Sequence, residues 1–521
     1  MSGSSDWKPK ANPWAIAIVV TMAAFMEVLD TTIVNVALPH IAGAMSASND
    51  EATWTLTSYL VANGIVLPIS GWLGRVIGRK RYFLMCILGF TVSSFLCGIA
   101  GDLYQLILFR LLQGFFGGGL QPNQQSIILD SFAPAKRGAA FAVTAIATVV
   151  APVLGPTLGG LITDNASWRW IFFINIPVGI GTLIAVSALV EDPPWAGKGE
   201  KTIDAIGLSL IVLGLGCLQV VMDRGEDEDW FGSPFIIGFS IASALGIGGA
   251  VVRLLTADKP IVDLRVLKDR NFALGCICTA GTFGTLYASA VVIPQLAQTV
   301  LGYTATLAGL ILSPGALLLL VIIPIMQRVG PLVQTRFIIA AGFVVLGLSL
   351  VFSNTLTPNI DFRTLVYFRM AQTVGLAFLF VPITTISYAT LPKEKNGDAT
   401  ALNTMFRNVF GSIGISLATS LVTERTQVRS AHLVDHLSPL DQGYNALVQS
   451  NTAGLLGLGR SPAEAATTAV NMIYQTLHSQ AQILAYSDIF LFTSILAFAL
   501  APVALLFSAS KMGGGAAKGG H

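Results

Sequence analysis

About fourteen apolar runs, each about twenty residues long, follow one another along this chain, and they constrain its fold more than any other feature. A run of that length spans the roughly 30 Å hydrocarbon core of a bilayer as a helix, and only a helix or a closed barrel satisfies its backbone polar groups there. The runs fall near 14–38, 54–74, 82–101, 104–129, 138–162, 170–190, 204–222, 234–256, 272–300, 304–327, 335–354, 364–390, 398–423 and 485–508. Composition agrees, with 53% hydrophobic and 11% charged residues, against roughly 25% charged in soluble domains. The expectation is an all-α polytopic protein embedded in a lipid bilayer.

Positive charge sets the orientation. The net charge of +2 points to no nucleic-acid partner, so the 30 Lys and Arg are read by position. Twenty-one of them cluster at 8–10, 75–81, 136–137, 198–201, 253–270, 328–336, 393–395 and 511–518, all in alternate connections. The positive-inside bias then places both termini in the cytoplasm. Trp54, Trp168, Trp170 and Trp230 fall at the outer helix ends, where an interfacial aromatic belt belongs. The first run is too long for a signal peptide and is read as an uncleaved span.

A duplication is legible inside the chain. "LILFRLLQGFFGGGLQP" and "LVYFRMAQTVGLAFLFVP" share FR-x-x-Q, a small-residue tract and a distal proline, which pairs Arg110 and Gln113 with Arg369 and Gln372. The expected organisation is a cytoplasmic N-terminus at 1–13, a six-helix bundle at 14–190, two inserted helices at 204–256 and a second six-helix bundle at 272–508. An outer segment at 424–484 is expected to be partly helical and outside the bilayer, followed by a cytoplasmic tail at 509–521.

Polar residues inside the apolar runs carry the functional signal. "MEVLDTTIVNVALP" puts Glu27 and Asp30 one turn apart on one helix face, although an acid at the centre of a membrane helix costs about 2.5–3.5 kcal/mol. Arg110 cannot be neutralised by deprotonation, and Asp30 is the acid expected to answer it. A carboxylate that alternates between desolvation and a nearby cation can exchange a proton with transport state; a structural ion pair locking two helices is the other reading. Asn35, Gln113, Gln295, Arg407 and Asn408 are candidates to line a substrate cavity, and Glu27 could belong to either role. Pro152, Gly155, Pro156 and Gly159 in "APVLGPTLGGLI" read as a kinked gate helix. Gly71, Arg75, Gly78 and Arg79 in "GWLGRVIGRKR" read either as topology determinants or as a latch between helix ends. Asp223 and Arg224 close the seventh run and fit an outer-surface loop.

Absences narrow the classes. No stretch matches a phosphate-binding G-x-x-x-x-G-K-[ST] loop, so transport would draw on an ion gradient, and one proton crossing about 100 mV yields ~2.3 kcal/mol. The five cysteines lie in apolar runs and read as buried small hydrophobes. His432 and His436 have metal-like spacing but fit an exposed helix face; no metal site, cofactor or catalytic constellation is expected.

"LDTTIVNVALP", "FRLLQGFFGGG", "VLGPTLGG", "WRWIFFINIPVG", "VMDRGEDEDWF" and "PIVDLRVLKDRNFALG", in that order, resemble the EmrB/QacA family, the fourteen-helix drug:proton antiporters of the major facilitator superfamily. The resemblance runs from about 14 to 508 and implies export of lipophilic, often cationic, toxic compounds in exchange for protons, by alternating access, across a bacterial inner membrane. It places Asp30 on the family's membrane-embedded acid, Arg110 on the arginine of proton relay, Gly155 and Pro156 on the antiporter motif, and Asp223 and Arg224 on an acidic position near the end of the seventh span. Where the superfamily pattern has an aspartate in the 71–81 loop, this chain has Arg75, so an aspartate-based latch does not carry over. The outer segment and glycine-rich tail are most similar to the EmrB branch, which implies a periplasmic membrane-fusion adaptor and an outer-membrane channel as partners. A proton-coupled carrier of a specific small metabolite or nutrient is the alternative within the same fold.

Overall fold

Capping chemistry fixes where the helices begin. Asn12 accepts from the Trp14 amide at 2.9 Å ahead of Pro13, Ser48 and Glu51 form a reciprocal capping box, and Asp102 accepts from the Gln105 amide at 2.8 Å. A computed structural model describes residues 9–194, 204–258, 260–357, 360–435, 437 and 441–510. The start of the N-terminus, Lys198 and Lys201, His436 and nearly all of the tail lie outside the described residues.

The first half comprises α1 (Pro13–Ala44), α2 (Asn49–Ile77), α3 (Arg79–Ile99), α4 (Leu103–Gly117), α5 (Leu120–Ser131), α6 (Pro134–Asn165), α7 (Trp170–Phe173) and α8 (Asn175–Leu189). Two helices follow, α9 (Ala205–Arg224) and α10 (Pro234–Thr256), packed on each other and, through α9, on α2. The second half comprises α11 (Arg270–Thr299), α12 (Ala305–Val329), α13 (Thr335–Phe352), α14 (Phe362–Ser387), α15 (Asn396–Val434), α16 (Gln442–Gly457) and α17 (Pro462–Leu505). Within the halves, α1 packs on α6 and α8, α2 on α4, α11 on α15, and α13 on α14 and α17.

Twelve helices among the described residues are long and apolar enough to cross a membrane. Two of the fourteen expected runs are not among these twelve: the run at 138–162, within which some side chains lie outside the described residues, and the run at 104–129, which is two helices broken at Gly118 and Gly119, neither of which spans alone. Its second piece, α5, carries the polar string "QPNQQS" and is buried throughout that string. The run expected at 138–162 lies within the single helix α6.

The molecule turns its polarity inward. Exposed leucine, isoleucine and phenylalanine face outward, as on α10, where Ile237, Ile241, Leu245 and Val252 form one stripe. Glu27, Asp30, Arg110, Gln113, Arg369 and Gln372 are buried between helices. Hydrocarbon cannot solvate such groups, so they must find partners inside the bundle.

The second half is longer than a bilayer. α15 has 39 residues and α17 has 44, about 58 and 66 Å at 1.5 Å per residue, against a core of about 30 Å. Their excess, with α16 packed along α17, forms a helical projection at 424–484, braced at its base by Arg429 donating to both Asp488 carboxylate oxygens at 2.8–3.1 Å.

Candidate functional site

Arg110 is the most buried cation among the described residues, and its surroundings explain how a charge survives there. Its Nη1 donates to Asp30 Oδ2 at 2.6 Å and to Gln113 Oε1 at 2.8 Å, and its Nε donates to the Thr55 carbonyl at 3.1 Å. The guanidinium lies over the Tyr59 ring with its carbon 4.2 Å from the centroid. Asp30 is 1% exposed and accepts two more bonds at Oδ1, from Gln113 Nε2 at 3.0 Å and Asn175 Nδ2 at 2.7 Å. Gln113 and Arg110 stand at i and i+3 on α4, so one helix face presents both to α1. Asn175, at the start of α8, also donates to Ser94 on α3 at 3.0 Å. Three helices, α1, α4 and α8, therefore meet at the Asp30 carboxylate, and α3 joins through Asn175.

Glu27 occupies a different environment one turn earlier. Asn63 Nδ2 donates to its Oε1 at 2.9 Å, and Gln121 Nε2 donates to Oε2. Its carboxylate lines a cavity of about 290 Å³ together with Asn35, Tyr59, Asn63, Gln219, Tyr287 and Asn408, among apolar groups such as Val28, Leu60 and Ile415. Both halves contribute walls, through α1, α2, α11 and α15, and Gln219 of α9 adds a third, donating to Ser412 Oγ at 3.3 Å.

The end of the molecule where α1 begins and α2 ends carries Arg75, Arg79, Lys80 and Arg81 and is termed the basic face. There the two halves are fastened. Arg75 on α2 pairs with Asp398 on α15, and Arg79 pairs with Asp130, which also accepts from Asn396 Nδ2 at 3.2 Å. Ser126 and Thr400 share a hydrogen bond of 2.6 Å, and Tyr388 donates to Gln125 at 3.3 Å. Gly71 lies flat against α15, where a Cβ would stand 2.7 Å from the Gly397 carbonyl oxygen. Gly78 makes the turn into α3 at φ +97°, a conformation that favours glycine. The Glu27 cavity lies beyond this seal, since its lining on α2 (56–67) and α15 (408–415) stands further along each helix from the basic face than the sealing residues at 71–75 and 396–400.

The remaining sequence candidates distribute unevenly. Gly155 and Gly159 are buried on α6, which packs on α1, and a Cβ on Gly155 would collide with the Thr32 side chain. The side chains of Pro152 and Pro156 lie outside the described residues. Gln113 does not line the cavity; it is fully buried against Asp30 and Arg110. Gln295 also stays away from the cavity, and Arg407 lines a second, smaller one. Asp223 and Arg224 are docked on α2 rather than carried on a solvent loop: Thr57 donates to Asp223, and the Arg224 guanidinium lies over Trp54 at 5.3 Å. Asn63, Gln121 and Asn175 are site residues that pattern reading passed over. The buried polar string of α5 was the available signal for Gln121.

Comparison with known proteins places this geometry. The Major Facilitator Superfamily profile matches residues 20–424. Over 476 residues, and 91% of both chains, the sequence is 36% identical to "Multidrug export protein EmrB" of Escherichia coli strain K12. It is 36% identical over 518 residues, 99% of both chains, to "Fatty acid resistance protein FarB" of Neisseria gonorrhoeae. In fold it is similar to the human organic anion transporter MFSD10, with a TM-score of 0.58 at 13% identity, over 94% of this chain and 100% of that one. The proton:xylose symporter XylE gives a TM-score of 0.55 at 13% identity, over 93% of this chain and 94% of that one. With a dozen membrane-length helices among its described residues, and matched by that profile over most of its length and by those export proteins, the chain belongs to the major facilitator superfamily as an EmrB-like multi-pass transporter and not an enzyme.

Proposed function

We propose that this chain is a proton-coupled exporter of lipophilic toxic compounds, working by alternating access in a bacterial inner membrane with both termini and the basic face in the cytoplasm. The observation that carries the reading is the buried Asp30 carboxylate, paired with Arg110 at 2.6 Å, one turn from a second acid that lines a cavity reaching away from the sealed basic face. Asp30 exchanges the proton. Arg110 lowers the cost of the charged form, and Gln113 and Asn175 hold the carboxylate in place. Glu27 meets the substrate, and the apolar walls supply loose affinity compatible with broad specificity. The pair Arg75 with Asp398 and the bond from Asn396 to Asp130 part when the cytoplasmic side opens, while Gly155 lets α6 ride closely on α1. Export as the direction is supported by the names of the relatives, which include multidrug export and fatty acid resistance. The projection formed by 424–484 is the surface on which a periplasmic adaptor, and through it an outer-membrane channel, would assemble.

The test is substrate-dependent proton movement in proteoliposomes holding a pH gradient, with Asp30→Asn and Glu27→Gln beside the natural chain. Asp30→Asn is expected to abolish proton movement while substrate still binds, and Glu27→Gln to weaken binding of cationic substrate. Unchanged proton movement in Asp30→Asn would overturn the mechanism. Substrate uptake that runs with the proton, rather than against it, would favour the nutrient carrier.

A further inference from the structure

Arg407 on α15 poses the problem that Asp30 solves for Arg110. It is 5% exposed, and among the described residues no carboxylate stands within ion-pair distance of it. Its Nε makes a long bond to Asn408 Oδ1 at 3.4 Å, its guanidinium lies over the Phe283 ring at 5.3 Å, and its Nη2 has no hydrogen-bond partner. A guanidinium keeps its charge at any relevant pH, and a buried charge without a counter-charge is costly. Arg407 opens on a cavity of about 40 Å³ between the two halves, on the basic-face side of the Glu27 cavity. That volume exceeds what a single water needs and is far below that of a drug-sized site. One wall is polar, with Asn403 donating to Thr279 Oγ1 at 3.3 Å; the other is aromatic, with Phe141 and Phe380.

We infer that this cavity is an anionic head-group subsite, in which the carboxylate of a lipophilic acid binds Arg407 while its adjoining carbons rest on the phenylalanine rings. The inference deepens the exporter reading and rests on it. Two charged centres of opposite sign, Glu27 and Arg407, then line two different cavities, so the transporter accepts lipophilic acids as well as cations by separate contacts. A charge-assisted, bidentate-capable donor discriminates a carboxylate from an isosteric cation more sharply than apolar walls can.

The test uses two probes that share one ring and differ in charge, naphthalene-2-carboxylate and (2-naphthylmethyl)trimethylammonium. Binding is measured calorimetrically to the full chain in phosphatidylcholine nanodiscs, which contain no anionic lipid to compete. Arg407→Gln is expected to weaken carboxylate binding at least about tenfold and to leave the ammonium probe within about twofold, with Arg407→Lys intermediate for the carboxylate. Equal weakening of both probes, or unchanged carboxylate binding, overturns the subsite. So does a natural chain that binds only the ammonium probe. Proton-driven export of the ammonium probe by the natural chain, measured separately in proteoliposomes, reports on the exporter reading alone, so the two can fail independently.

Discussion

Asp30 accepts from Arg110, Gln113 and Asn175, so replacing it removes a charge and also strands a cation. Breaking one partner of a buried pair costs about 3–5 kcal/mol, because the survivor keeps its desolvation penalty. Asp30→Asn is therefore expected to lower the thermal unfolding temperature of the purified protein, and Asp30→Asn with Arg110→Gln to recover part of that loss; a double variant less stable than both singles would refute the pairing argument. Gly71→Ala places a methyl group 2.7 Å from the Gly397 carbonyl, closer than real contacts allow, so the basic face cannot seal. Transport is expected to fall several-fold with little change in substrate binding, which side-by-side flux and binding assays would read. At this scale the sequence disclosed its charged residues well and its amides poorly. Asp30 and Arg110 are conspicuous in apolar runs, because an ion in hydrocarbon demands a reason. Asn63, Gln121 and Asn175 are single uncharged amides of a kind membrane helices also use for packing, and only their convergence on Glu27 and Asp30 distinguishes them. Gln113 drew attention for its i+3 spacing from Arg110, and that spacing serves the ion pair rather than a cavity wall.

At the level of elements, the seal between α2 and α15 is electrostatic at its rim and backbone-tight at its centre. Reversing one rim charge, Arg75→Glu, sets it against Asp398 and is expected to open the basic face. A cysteine placed at Thr400, which is fully buried in the seal, would then react with an impermeant maleimide about fivefold faster or more, and adding Asp398→Arg should restore protection. The repeat read from the sequence has a counterpart in side-chain geometry: Arg369 Nη1 donates to Gln372 Oε1 at 3.4 Å on α14, as Arg110 does to Gln113 on α4. The break between α4 and α5 was hidden, because Gly-Gly-Gly inside an apolar run looks the same whether it bends a helix or interrupts it. The docking of α9 on α2 was hidden too, since the long-range partners Thr57 and Trp54 have no local signature.

For the molecule as a whole, the proposed functions divide by region, with transport assigned to the bundles and adaptor assembly to the projection. α16 and the connection at 458–461 lie at the tip of the projection, and α16 has no buried residue. Replacing them with a short flexible linker is expected to leave proton-coupled flux in single-membrane vesicles within about twofold while abolishing co-purification with an adaptor and drug resistance in cells. Loss of vesicle transport would mean that the projection serves the pump itself. The 44-residue α17 joins these regions without interruption, and its length exceeds a bilayer core by about 35 Å. A stiff rod anchored at one end multiplies small rotations: a tilt of about 10° in the bundle swings the free tip by about 6 Å. Each turn of the pump would thus be felt as a stroke at the far end of the rod, so a protein gripping that tip could be moved by, or could brake, chemistry that happens within the bilayer.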